Sequence, residues 1–401
     1  MDGMTFPTPE RAGPTSRSDR MPLLAFIGDA ESEAVLHEGL AGVMPRGFEV
    51  RRGNVRTALH DLGQMTTPKA LVIDITGEPQ ALALLADLRH VVEPDVKVLI
   101  VGERQDVTFY RQVTRSLGAA EYLYKPLMPE MVARHFGAQL NRGTTTADGG
   151  GRMVCLTGVR GGAGTTTLTA NLAWYIAEVG RRNTILLDAD LHTGTAAMLL
   201  GGRTGPGLRA ALEAPDRMDE LFIERSAMPV SDRLHILAAE EPLTERPGYL
   251  PGAAERLTSM LRRRFNYVLA DVPFHGGPFA EDLLLLTQQR VLVLLPTLGS
   301  VRDTLRMLTL PAGTGQVRRA VLVLNRTGMP GGLPRAAVED ALDMAVDVCI
   351  PDLPKTVGMA ESLGEPAVRV HGGFRTGIIR LAREMGFVGS DAAVTRRWWR
   401  R

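Results

Sequence analysis

Residues 158–167, Gly158-Val159-Arg160-Gly161-Gly162-Ala163-Gly164-Thr165-Thr166-Thr167, constrain this chain more than any other segment. They follow the apolar run Met153-Val154-Cys155-Leu156 and precede Leu168, Leu172 and Ile176, whose spacing fits the buried face of a helix. Strand, glycine loop and helix in that order form a phosphate cradle: glycines let backbone N–H groups approach an anion, and the helix N-terminus adds positive potential. The spacing G-x-x-x-x-G-K-[ST] puts Val159 at the first glycine, Thr165 at the lysine and Thr166 at the metal-binding hydroxyl, so two of four fixed positions depart from the rule. Taken alone, such a stretch also reads as a tight connection between strand and helix.

Carboxylates elsewhere favour the phosphate reading. Thr184-Ile185-Leu186-Leu187 is a strand-like run ending in Asp188-Ala189-Asp190, and Tyr267-Val268-Leu269-Ala270 is another ending in Asp271-Val272-Pro273. Acids at the C-terminal ends of parallel strands lie on the rim where open α/β sheets bind ligands, and there they can hold Mg²⁺. Any one of them also suits a helix cap or turn. Three in step with a glycine loop point to a nucleotide site.

With these residues assembled, the chain resembles the ParA/MinD group of deviant-Walker ATPases and, within it, the CpaE/TadZ proteins of Flp (Tad, type IVb) pilus assembly. The resemblance covers most of residues 150 to 385. It is carried by Arg160-Gly161-Gly162-Ala163-Gly164, Leu187-Asp188-Ala189-Asp190, Leu269-Ala270-Asp271-Val272-Pro273, Val291–Thr297 with Ser300-Val301-Arg302-Asp303, Val323-Leu324-Asn325-Arg326, and Ile350-Pro351-Asp352. What it implies is an ATP and Mg²⁺ site in a homodimer. The family's signature lysine, which reaches the partner subunit's nucleotide, falls on Arg160, a planar cation suited to phosphate. The loop residues Gly161 to Thr167 would cradle phosphates, with Thr166, Asp188 and Asp271 at the metal and Thr167 at the helix start. Asp190 matches the acid that positions attacking water, Asn325 the adenine-contacting Asn, and Pro351 with Asp352 the backbone against the base. Thr165 replaces the ordinary Walker lysine with a neutral hydroxyl. A charge-assisted hydrogen bond contributes about 1.5–3 kcal/mol, so its loss weakens triphosphate binding by roughly ten- to a hundredfold. Binding can survive that loss. Hydrolysis, which needs fixed positive charge over the γ-phosphate, is expected to be weak or absent.

Turn-rich breaks predict the organisation: a disordered tail over 1–21, a receiver-like (flavodoxin-like) α/β domain over 22–140, a flexible linker over 141–151, a ParA/MinD-type P-loop domain with a mostly parallel sheet over 152–388, and a basic aromatic tail over 389–401. The first domain alternates strand-like runs with helical stretches. Asp74 stands where a receiver's phosphoacceptor would be and Lys125-Pro126 ends the fifth strand, but Gly28-Asp29 replaces a pair of acids and Gly102 a Ser or Thr. That is half a metal site, and it reads as a docking pseudo-receiver in preference to the alternative, a working phosphoswitch at Asp74; CpaE proteins resemble this arrangement too.

Composition, at 44% hydrophobic and 23% charged, suits two α/β domains with ample cores. Cys155 and Cys349 sit in apolar runs as small buried hydrophobes, with neither a disulfide framework nor zinc spacing. No secretory signal or membrane-spanning run is legible, so a cytoplasmic protein is expected. The tail Arg396-Arg397-Trp398-Trp399-Arg400-Arg401 suits either a lipid interface at the inner membrane or a solvated basic or docking end. With 46 basic against 45 acidic residues, nucleic-acid binding is disfavoured, although Arg262-Arg263-Arg264 and Arg318-Arg319 are local patches. The expected function is an ATP-dependently dimerising localisation or assembly factor for a Flp pilus, with pilus assembly and secretion components as partners. A hydrolysing ParA-type partition ATPase that binds DNA, and a nucleotide-free scaffold, are the alternatives.

Overall fold

A computed structural model describes residues 20–141 and 150–387, apart from residues 46, 66, 95, 274–276, 312, 314, 315, 317 and 318. Most of the expected N-terminal tail and linker, Arg318 and the Arg/Trp tail therefore lie outside the described residues. The chain divides into two compact units, one of residues 1–88 and 96–145 and one of 89–95 and 146–401.

The first unit is a five-stranded sheet in the order β2-β1-β3-β4-β5, all parallel: β1 (Leu24–Ile27), β2 (Glu49–Arg52), β3 (Ala70–Asp74), β4 (Lys97–Gly102) and β5 (Glu121–Tyr124). Central β1 and β3 are buried along their length, as apolar runs covered on both faces must be, whereas edge β2 carries Glu49, Arg51 and Arg52. Leu36, Leu40, Val72, Leu99, Val132 and Phe136 pack in its core. At the C-terminal rim the Lys125 Nζ donates to Asp29 Oδ2 at 2.5 Å and to Asp74 Oδ2 at 2.6 Å, and the Gly28 N–H donates to the same Asp74 oxygen at 3.1 Å. Burial opposes ionisation of both acids, but the bond from Lys125, together with those from Ser32 to Asp29 and from Thr76 and Gly28 to Asp74, outweighs it, lowering the Asp74 carboxyl and holding Asp29 at about 2. Gly102 has a steric reason: a Cβ there would lie 2.8 Å from the Tyr122 hydroxyl, which donates to the Arg104 carbonyl at 2.7 Å.

The second unit is built on an eight-stranded sheet, β13-β12-β11-β6-β10-β7-β9-β8. Its strands are β6 (Arg152–Gly158), β7 (Thr184–Asp188), β8 (Met228–Pro229), β9 (Leu234–Leu237), β10 (Tyr267–Val272), β11 (Gln289–Leu294), β12 (Val321–Thr327) and β13 (Val348–Pro351); β8 alone runs antiparallel to its neighbour. Along β6 the side chains alternate between two cores. Val154 and Leu156 join Leu168, Leu172 and Ile176 on one face, while Met153 and Cys155 join Leu257, Leu261 and Leu283 on the other. Later strands extend the sheet on both sides of β6, so the glycine loop leaves the sheet where strand order reverses.

Cys155 is buried as expected, but Cys349 is only partly so, because it lies on the half-covered edge strand β13. The apolar run at Leu283–Leu286 is the end of a surface helix and that at Val291–Leu294 a central strand; among the described residues no helix is long and apolar enough to cross a membrane. Of the basic patches, Arg262 Nε donates to the Gly151 carbonyl at 2.7 Å, Arg264 pairs with Glu224 at 3.4 Å, and Arg319 pairs with Asp347 at 2.5 Å. Those guanidinium groups are engaged within the fold.

The helix after the loop, Thr165–Trp174, is fastened by buried Asn171. Its Nδ2 donates to the Thr167 carbonyl and its Oδ1 accepts the Val368 N–H, both at 2.8 Å. Asn171→Ala strands a buried N–H, so we expect a loss of about 1–3 kcal/mol in urea unfolding. An unchanged midpoint would exclude this role.

Candidate nucleotide-binding site

β6 ends at Gly158, and the helix Thr165–Trp174 starts directly after Gly164. The turn between them needs left-handed backbone at Gly162 (φ 76°) and Gly164 (φ 84°), which only glycine adopts without strain. Gly164 also has no room for a side chain, since a Cβ would lie 2.6 Å from Asn325 Nδ2. That amide donates to the Ala163 carbonyl at 2.8 Å, tying β12 to the loop. Thr165, at the lysine position, folds its hydroxyl back over Gly158, where an added Cβ would meet it at 2.7 Å. Gly161 is exposed, with open space around its Cα, and Ala163 is buried.

Asp188 and Asp271 are register partners at the ends of adjacent β7 and β10, and both are buried. Asp188 accepts the Ala196 N–H at 3.1 Å and the Asp190 N–H at 3.2 Å, while the Thr166 and Thr169 hydroxyls stand beside Asp271. Burial pushes Asp188 up to about 6; burial and the neighbouring Asp188 charge push Asp271 up to about 7. Two adjacent buried carboxylates and a hydroxyl suit a divalent cation. Among the described residues no group of three or more His, Cys, Asp or Glu forms a metal cage, so a cation here would complete its shell with water and phosphate oxygens, as Mg²⁺ prefers.

Asp190 is engaged by the turn that follows it. Its Oδ1 accepts the N–H groups of His192 at 3.1 Å and Thr193 at 2.8 Å, and its Oδ2 accepts the Thr193 hydroxyl at 2.6 Å. These bonds close a side-chain-capped turn and, against the effect of burial, lower its carboxyl pKa. Arg160 reaches away from the loop over Gly299, with Nε 3.5 Å from Asp303 Oδ2. Asp303 also binds Arg302 at 2.8 Å and lies 3.8 Å from Arg306.

On the other side of the loop opens a cleft of about 250 Å³. Gly162, Gly164 and Thr167 form one wall, Asn325, Arg326, Pro351, Asp352 and Leu353 another, and Val357, Gly358, Glu361 and Phe374 complete it. A bulge in β12 between Leu324 and Thr327 puts Arg326 at φ 57°, and its Nε donates to Asp352 Oδ1 at 2.9 Å. The fold therefore brings the loop, Asn325, Pro351 and Asp352 around one space, with Thr166 turned to the acid pair. Sequence reasoning missed Asp303 and Glu361. Asp303 closes the segment Ser300-Val301-Arg302-Asp303, whose pattern carries the resemblance but gives it no role, and Glu361 has no local signal.

The acid pair fixes a pH dependence. Both folded-state values lie above the ordinary carboxylate value, so the folded chain holds these protons more tightly than the unfolded one, and the stabilisation is complete below about pH 4 and lost as pH rises through about 6 and 7. The contribution of this pair to the apo protein's melting temperature should fall from about pH 5 to about pH 8, and Asp271→Asn should flatten that slope and melt several degrees higher at the upper end. Parallel profiles for the two proteins would overturn the assignment.

A family model described as cellulose biosynthesis protein BcsQ matches residues 152–195. The chain is 28% identical over 177 residues to a putative septum site-determining protein MinD of Guillardia theta, covering 44% of this chain and 64%, just under two thirds, of that protein's length. It superposes on MinD of Pyrococcus horikoshii OT3, solved with Mg-ADP, at 25% identity and a TM-score of 0.51, over 58% of this chain and 95% of that one. A pilus assembly protein CpaE of Caulobacter crescentus matches 30% of this chain and 98% of its own at 33% identity, with a TM-score of 0.28. The MinD relatives and structural neighbours support the ParA/MinD ATPase superfamily for this chain, with an α/β P-loop domain built on a parallel sheet.

Proposed function

We propose that the chain binds ATP with Mg²⁺, dimerises around it, and acts as a localisation or assembly factor for a Flp (Tad, type IVb) pilus, with weak or absent hydrolysis. The carrying observation is the continuity of the site: one helix start presents Thr166 to the Asp188–Asp271 pair and Thr167 to the cleft. Phosphates would lie on Gly161 to Thr167 and the base between Asn325, Pro351 and Asp352. Thr166, Asp188 and Asp271 would hold Mg²⁺, directly or through water. Bound there, Mg²⁺ supplies positive charge shared between the phosphates and the acids.

Thr165 supplies a hydroxyl where a lysine would supply charge, and Asp190 is engaged by its own turn. Both favour binding over turnover. Arg160 is half-exposed and held by a long contact to Asp303, which leaves it free to reach a partner's phosphates. Nucleotide that binds the dimer better than the monomer drives assembly by population shift without being consumed. The pilus role rests on the sequence resemblance and on a smaller parallel α/β unit preceding the loop-bearing one. In that unit we read a pseudo-receiver: Lys125 neutralises the acids and Tyr122 fills the space beside Gly102, so the surface serves docking to pilus assembly and secretion components. A cytoplasmic location with peripheral contact at the inner membrane belongs to the same reading.

Titration with labelled ATP and Mg²⁺, paired with sedimentation, tests it. The expected result is saturable binding and an ATP-dependent dimer, with the dimer lost in Arg160→Ala and binding tightened roughly ten- to a hundredfold in Thr165→Lys. Absence of both binding and dimer would sink the proposal. Turnover abolished by Asp190→Ala, together with salt-sensitive DNA binding, would establish a partition ATPase instead.

A further inference from the structure

The cleft contains a carboxylate that phosphate binding does not explain. Glu361, on the helix Pro354–Ser362, accepts a hydrogen bond from the Thr167 hydroxyl at 2.7 Å, joining positions 194 residues apart. Thr167 is the third residue of the helix that follows the loop, so Glu361 stands beside the phosphate end of the cleft. A negative group there repels phosphate, and its lone pairs beyond the one that Thr167 takes suit a ligand's hydrogen-bond donors.

Geometry limits which donor that is. Pro354, Val357, Gly358 and Glu361 line the cleft at helical spacing, so one face of this helix runs along it. Seven residues of helix span about 10 Å, separating Glu361 from the Asp352 end, where Pro351, Leu353 and Phe374 offer apolar surface to a base. The base's amino group belongs to that far end. Next to the phosphates, the donors a nucleotide carries are its ribose hydroxyls. Glu361 can accept from them, since an ionised carboxylate has about four lone-pair sites and Thr167 occupies one.

The geometry points to Glu361 as the ribose-recognition residue, oriented by Thr167, that makes this site selective for ribonucleotides over deoxyribonucleotides. This rests on the nucleotide reading above. It adds a specificity that the loop cannot provide, because the loop contacts only phosphate.

Calorimetric titration of the full-length protein with ATP, 2′-deoxy-ATP and 3′-deoxy-ATP, each with Mg²⁺, decides the matter. The wild type should bind ATP about ten- to a hundredfold more tightly than at least one deoxy analogue. Glu361→Ala should bring the three within about twofold of one another, and Glu361→Gln, which keeps one acceptor oxygen, should fall between; thermal melts confirm that the variants fold. Equal affinities in the wild type, or discrimination unchanged in Glu361→Ala, would overturn the inference while leaving the nucleotide reading intact. No binding of any nucleotide to the wild type would remove both.

Discussion

The position of β6 between β10 and β11 is the constraint on which the site depends. A central strand with both faces buried must end at the sheet's rim, and its chain must then turn sharply into a helix packed on one face. At that rim the neighbouring strand β10 delivers Asp271, and β7 beyond it delivers Asp188. On the opposite side β12 and β13 deliver Asn325 and Pro351. Loop, acids and cleft walls thus follow from one strand order, and each is fixed by ladders far stronger collectively than any single side-chain contact.

Electrostatics then decides what the rim can do. Two buried acids with elevated pKa values leave the apo site short of positive charge, and the lysine that would offset them is absent. Arg326 and Arg160 are each paired, with Asp352 and Asp303 respectively. On the proposed reading, a cation brought with a nucleotide would relieve the acid pair, and Mg²⁺ and nucleotide would each favour the other's binding.

Much of this was legible in the chain. The glycine loop, the strand-terminal acids Asp188 and Asp271, and the alternation of apolar residues are local patterns, and local backbone geometry enforces them. The left-handed backbone at Gly162 and Gly164 came only with the structure. Side-chain partners were less legible. Asp190 has the same sequence context as Asp188, yet turns its oxygens to His192 and Thr193 because the following turn offers free N–H groups. Cys349 reads as buried from its neighbours but lies on a half-covered edge strand.

The sequence by itself determined the α/β class, the strand–loop–helix cradle, the missing lysine and the acids at strand ends, since these depend on residue type within one or two turns of chain. Only the tertiary structure decided that Asn325 braces Ala163, that Lys125 closes the acid pocket of the first unit, that Arg160 meets Asp303, and that Glu361 meets Thr167. Those contacts join residues from about 50 to almost 200 positions apart. No periodicity or propensity encodes such a separation; it is set by which strands lie adjacent and which helix faces the sheet turns toward them.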